Sequence, residues 1–165
     1  MLAKQIMSQP VSVCPLSVNL DQAARLMWET DCGAVPIVDS SGRAIAMLTD
    51  RDICMAAFTQ GRPLQEIGVG VAMSTSLVGC APDDTLAHVE RLMARHQIRR
   101  LPVLDPEGRP VGMVSLNDLA RVANRQHPAV PAGANAVSLA DTARTMAAIC
   151  APHLPDAQEP ADRHA

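Results

Sequence analysis

The sequence predicts a mixed α/β fold of the α+β kind. It consists of two copies of one unit, each a small sheet with two packed helices, related by a pseudo-twofold. Three observations predict it. Residues 7–54 lie over residues 73–120 at a constant offset of 66 with no gap. Met7-Ser8 meets Met73-Ser74, Arg25-Leu26-Met27 meets Arg91-Leu92-Met93, and Pro36 meets Pro102. Asp39…Gly42-Arg43 meets Asp105…Gly108-Arg109, and Thr49…Asp52 meets Ser115…Asp118. Second, each copy reads strand, helix, strand, strand, helix by its hydrophobic periodicity. Third, 48% of residues are apolar, with one Trp, one Phe and no Tyr, so the core must be aliphatic. An internal repeat places equivalent clefts about its axis, so a site found in one copy is sought in the other.

In the first copy Val11–Val13 reads as a short β segment. Asn19 is placed to cap a helix over Leu20–Thr30, where Leu20, Ala23, Ala24 and Met27 form one apolar stripe. Val35–Val38 and Ala44–Leu48 read as a hairpin, with Gly42 supplying the positive φ of its turn. Asp50–Gln60 reads as a second helix, stopped by Gly61-Arg62-Pro63. The second copy repeats this course. It has a strand at Leu77–Cys80 and a Thr85-capped helix over Leu86–His96, with Leu86, Val89, Leu92 and Met93 on one face. A hairpin of Leu101–Leu104 and Pro110–Val114 follows around Gly108, and Leu116–Arg125 closes the copy. Ser138–Cys150 reads as a further helix with Leu139, Ala143, Met146, Ala147 and Cys150 on its apolar side.

Net charge is −3. With almost no aromatics, this argues against a nucleic-acid binder, which needs a basic face or stacking platforms. No apolar run reaches the roughly 18 residues of a membrane span, and the N-terminus lacks a signal-peptide pattern. Five cysteines at positions 14, 32, 54, 80 and 150 form no Cys-x-x-Cys and no Cys/His cluster. They read as reduced thiols of a cytoplasmic protein, with no metal site. No nucleophile–base pair stands out, so no catalytic residue and no enzyme activity is expected.

The runs Ala34-Val-Pro-Ile-Val-Asp39…Gly42…Met47-Leu-Thr49-Asp-Arg-Asp52 and Leu101-Pro-Val-Leu-Asp105…Gly108…Gly112-Met-Val-Ser115…Asp118 resemble the CBS domain, named after cystathionine β-synthase. The resemblance covers roughly residues 3–125 and is nearest to stand-alone bacterial proteins made of one CBS pair. It implies a Bateman module: repeat 1 over residues 1–60, a linker over 61–72 and repeat 2 over 73–125. Residues 126–151 would then hold a linker and a C-terminal helix, and 152–165 a tail expected to be disordered. It also implies two clefts that hold an adenosine-containing ligand: AMP, ADP or ATP, and less readily S-adenosylmethionine or NAD. The partners it implies are a second copy, giving a homodimeric disc of four repeats, and a separate regulated protein.

Thr49 and Asp52, with Ser115 and Asp118, are the candidate ribose ligands. A carboxylate accepts from both hydroxyls of a vicinal diol, a contact worth roughly 1.5–3 kcal/mol. The same Ser/Thr…Asp spacing before a helix is a capping pattern, and both roles fit one turn. The resemblance implies Arg99 and Arg100, just ahead of the Pro-Val strand, as phosphate ligands, and guanidinium suits phosphate bidentately. The first copy has Gly33-Ala34 there, so the two clefts are expected to differ. The resemblance implies Val11, Val13, Val35, Pro36, Leu77, Val78, Leu101 and Pro102 as the adenine lining, and each is also an ordinary core residue type. Two functions stand side by side: a non-catalytic adenine-nucleotide sensor, or a structural dimerisation module whose clefts stay empty.

Overall fold

The structure, a computed structural model, describes residues 1–74, 76–125 and 139–149. Its elements run β1 (Cys14–Pro15), α1 (Leu20–Glu29), β2 (Ala34–Val38), β3 (Ala44–Thr49), α2 (Asp50–Gln60), α3 (Leu86–His96), β4 (Arg100–Leu104), β5 (Pro110–Ser115), α4 (Leu116–Arg125) and α5 (Leu139–Ile149). Repeat 1 carries the sheet β1-β2-β3, with β1 parallel to β2 and β2 antiparallel to β3. Repeat 2 carries β4-β5, and Cys80 bridges Val103 where a third strand would lie. Residues 11–13 and 77–79, expected as strands, have no ladder partners. Pairing begins only at Cys14 and Cys80, so the first strand of each unit is shortened to its end.

Local chemistry sets the other boundaries. Asn19 accepts from the Gln22 amide at 3.0 Å, and Gln22 answers with its side chain on the Asn19 amide. Thr85 accepts from the His88 amide, which starts α3. Each cap satisfies an amide that has no partner inside the helix, and the cap of α1 is reciprocal. Gly42 and Gly108 both sit at φ 81°, the left-handed turn that glycine adopts without steric cost. The turns touch across the repeats, where Ala44 N donates to Gly108 O at 2.9 Å and Arg43 Nε to Glu107 O at 2.7 Å.

Each repeat is finished by chain that precedes the other. Residues 1–8 pack on repeat 2: Ala3 N donates to Asp84 O, and Ser8 N donates to Met113 O on β5. Residues 67–74 do the same for repeat 1: Leu20 N donates to Ile67 O, and Ser74 N donates to Met47 O on β3. Ile67 and Val69 are buried in the first core with Leu20, Ile37 and Leu48. Ala3 is buried in the second with Val89, Leu101 and Val114. The stretch 61–72 is thus structural on its repeat 1 side and does not merely span the copies.

Helix α5 packs against α3 and α4. It buries Thr142, Thr145 and Ile149 and exposes Ala143 and Ala147, with Met146 43% exposed. Ala143, Met146 and Ala147 of the expected apolar side therefore face outward, which corrects the reading from periodicity. The groove that α5 enters explains the reversal. It is partly polar, with Glu90 buried and Gln97 Nε2 donating to Ala148 O at 3.3 Å, so threonines fit it. The linker 126–138, Cys150 and the tail lie outside the described residues.

Candidate functional site

The two Ser/Thr…Asp turns sit where β3 hands over to α2 and β5 to α4. Thr49 has extended backbone (φ −115°, ψ 161°) and is the N-cap of α2. Asp52 Oδ2 accepts from the Thr49 amide at 2.8 Å and from Thr49 Oγ1 at 2.6 Å. Thr49 Oγ1 in turn accepts from the Asp52 amide at 3.2 Å. The second turn is a close copy: Asp118 Oδ2 accepts from Ser115 N at 2.7 Å and from Ser115 Oγ at 2.5 Å, while Asp118 N donates to Ser115 Oγ at 3.3 Å. Each hydroxyl already gives its proton to its own aspartate. The capping role is therefore filled at both turns, and one carboxylate oxygen of each aspartate is committed to it.

The remaining oxygens differ. Asp118 is 2% exposed, and its Oδ1 is held by Arg121, one turn along α4. Among the described residues Asp52 Oδ1 receives no such donor. Asp52 lines a cavity of about 220 Å³ with Met55, Ala56, Thr59, Val71 and Ala72. That is less than the roughly 300–1,000 Å³ of a complete ligand site, so it has room for a sugar rather than a whole nucleotide.

Arg99 and Arg100 are both exposed. Arg100 pairs with Ser115 in the β4–β5 register, but its side chain reaches repeat 1. A Cβ at Gly33 would come within 2.8 Å of Asp50 Oδ2 and 3.1 Å of Arg100 Nη2. These groups edge a second cavity of about 490 Å³ between α1 and α2, walled by Ala24, Met27, Trp28 and Ile53. The structure thus brings Arg100 to Asp50 and not to the Asp52 cavity. Of the expected adenine lining, Val35 and Leu101 are fully buried in the two cores, and Pro36 and Pro102 are buried in β2 and β4. Val11, Leu77 and Val78 are half-buried, and Val13 is exposed. None of the eight lines the Asp52 cavity.

Sequence reasoning passed over Met55, Val71 and Ala72, and read Asp50 only as a helix start. The offset of 66 carried a signal: it sets Met55 against Arg121, so the neighbours of the two aspartates differ in charge. Cys14 and Cys80 are buried free thiols. Burial raises the Cys14 thiol pKa, and burial together with the Asp84 charge pushes Cys80 up to about 12. Among the described residues no group of three or more His, Cys, Asp or Glu side chains could hold a metal ion, and no helix is long and apolar enough to cross a membrane.

Comparison with known proteins accounts for the duplicated plan. The profile of the CBS domain matches residues 3–58 and 66–125. The CBS domain-containing protein YhcV of Bacillus subtilis is 42% identical over 117 residues, covering 71% of this chain and 81% of the relative. The homoserine O-acetyltransferase of Methanohalobium evestigatum is 28% identical over 117 residues, but the match spans 71% of this chain and only 23% of that protein. Among solved structures, the CBS domain pair of protein MJ0100, in complex with 5′-methylthioadenosine and S-adenosyl-L-methionine, superposes with a TM-score of 0.69 at 25% identity. That match covers 76% of this chain and 98% of the other. The chain belongs to the CBS domain family and is a pair of CBS domains.

Proposed function

We propose that this CBS pair is a non-catalytic sensor that takes an adenosine-containing ligand through the ribose, on Asp52. The observation that carries the reading is the half-committed carboxylate. Oδ2 of Asp52 is fixed by its capping bonds, which orient the group, and the side chain lines a cavity of sugar size. A pre-oriented carboxylate accepts from a vicinal diol with little ordering cost. The adenosine ligands of the MJ0100 pair support the ligand class. A panel of AMP, ADP, ATP, NAD and S-adenosylmethionine at millimolar concentration should raise the melting temperature with at least one member. Asp52→Ala should weaken that binding by about ten- to hundred-fold, the loss of one charged hydrogen bond. No shift across the panel sinks the reading.

A second reading draws on the closed capping boxes. If Thr49 and Asp52 serve only α2, the pair is a structural module with empty clefts, and Asp52→Ala changes stability alone. Association of two copies belongs to either reading. Trp28 is 88% and Phe58 81% exposed on the helices of repeat 1, and they offer an apolar surface to a second copy. Sedimentation of the wild type against Trp28→Ala tests it, and identical monomer mass for both would refute it. Regulation of a separate protein in the cytoplasm completes the sensor reading, and co-purification with and without the bound nucleotide tests that.

A further inference from the structure

We infer that the two repeat-related turns are unequal ligand sites: repeat 2 is closed by its own side chains, and the chain takes a single adenosine-containing ligand on Asp52. The inference rests on the sensor reading above and adds its stoichiometry and the residues that set it. Of the six side chains that line the cavity with Asp52, five differ from their counterparts in the other copy, and three of those differences bear on the aspartate. Arg121 stands where repeat 1 has Met55, Val122 where it has Ala56, and Ile6 where it has Ala72. Met55, Ala56 and Ala72 all line the cavity beside Asp52. Each counterpart is the larger side chain. Val122 is 6% exposed, and Ile6 packs onto its cluster with Leu86 and Ala123.

Charge acts with volume. The carboxylate of Asp118 has both oxygens engaged, Oδ2 by Ser115 and Oδ1 by Arg121, and its side chain is 2% exposed. A ribose diol would have to displace a guanidinium from a buried carboxylate, exchanging a charged partner for a neutral one. A bond to a charged donor is worth more than one to a hydroxyl, so the exchange is unfavourable. Beside Asp52 the corresponding side chain is an uncharged thioether, 47% exposed, which competes for nothing. The leading segments thus do more than complete the folds, since Ile6 helps to close one site and Ala72 leaves the other open.

Isothermal titration of the full chain with each member of the panel, AMP, ADP, ATP, NAD and S-adenosylmethionine, decides the matter. Wild type should bind one equivalent of at least one of them. Met55→Arg, at an exposed position, places the Arg121 arrangement beside Asp52 and should weaken binding at least about tenfold. The double variant Ile6→Ala/Arg121→Met, checked for folding by circular dichroism, should bind two equivalents. Two equivalents on the wild type, wild-type affinity in Met55→Arg, or a single equivalent on the folded double variant each overturn the inference while leaving the sensor reading intact. No binding by any of the three proteins removes the sensor reading and the inference with it.

Discussion

In repeat 2 the groove between α3 and α4 is filled by α5, with Ile149 in the same buried cluster as Met93 and Leu119. In repeat 1 no element among the described residues fills the matching groove between α1 and α2, which holds a cavity of about 490 Å³ beside an exposed Trp28. The residues track this difference. Glu90, buried under α5, corresponds to Ala24, and Ala94 corresponds to Trp28. Two units with one backbone plan have therefore been specialised by what covers them. Repeat 2 is covered on its helical side by α5, and its aspartate is held by Arg121. Among the described residues repeat 1 has no such cover in either place. A duplicated fold relaxes the demand that both copies do the same work, and here the open copy holds the half-free carboxylate.

The largest expected effect tests the cover. Ile149→Ala should cost about 2–4 kcal/mol, the price of a buried large-to-small change. Hydrogen exchange should show the lost protection in α3 and α4, with α1 and α2 unchanged. Uniform loss across both repeats would mean that α5 supports the whole module rather than one copy.

A smaller effect separates the paired cysteines. Both thiols are raised, but Cys80 also feels Asp84, whose counterpart in repeat 1 is Val18. For Cys80 the folded pKa of about 12 lies above its ordinary value of 9, so the unfolded chain releases a proton that the folded chain keeps. Its contribution is intact below pH 9 and falls as pH rises toward 12, by up to about 1.4 kcal/mol per pH unit. Melting curves between pH 8 and about 10.5 should therefore flatten more in Cys80→Ala than in Cys14→Ala. Equal slopes would show that Asp84 makes no difference.

The smallest effect concerns the caps. Thr49→Ala and Ser115→Ala should each lower stability by about 1 kcal/mol. The loss at Ser115 should be the greater of the two, because Asp118 is buried and Asp52 is not. Chemical denaturation with unchanged m-values checks both, and a greater loss at Thr49 would invert the comparison.

Much of this was legible in the chain. The bounds of α2, α3 and α4 follow from Thr49, Thr85 and Ser115, because a cap is written within four residues of the helix it starts. Gly42 and Gly108 announced both hairpin turns. The face of α5 was misread because periodicity finds an apolar stripe but not its partner, and here the partner groove is polar at Glu90 and Gln97. Arg100 was assigned by its neighbours in sequence, yet its long side chain crosses to the other repeat and lies by Gly33.

The sequence by itself determined the duplication, the caps and the glycine turns, since each rests on contacts between residues a few positions apart. Only the tertiary structure decided that residues 1–8 complete repeat 2, that residues 67–74 complete repeat 1, and that Asp118 is sealed while Asp52 keeps an oxygen to spare. These depend on which distant side chains come to share one space. Composition and spacing do not fix that until the chain has closed on itself.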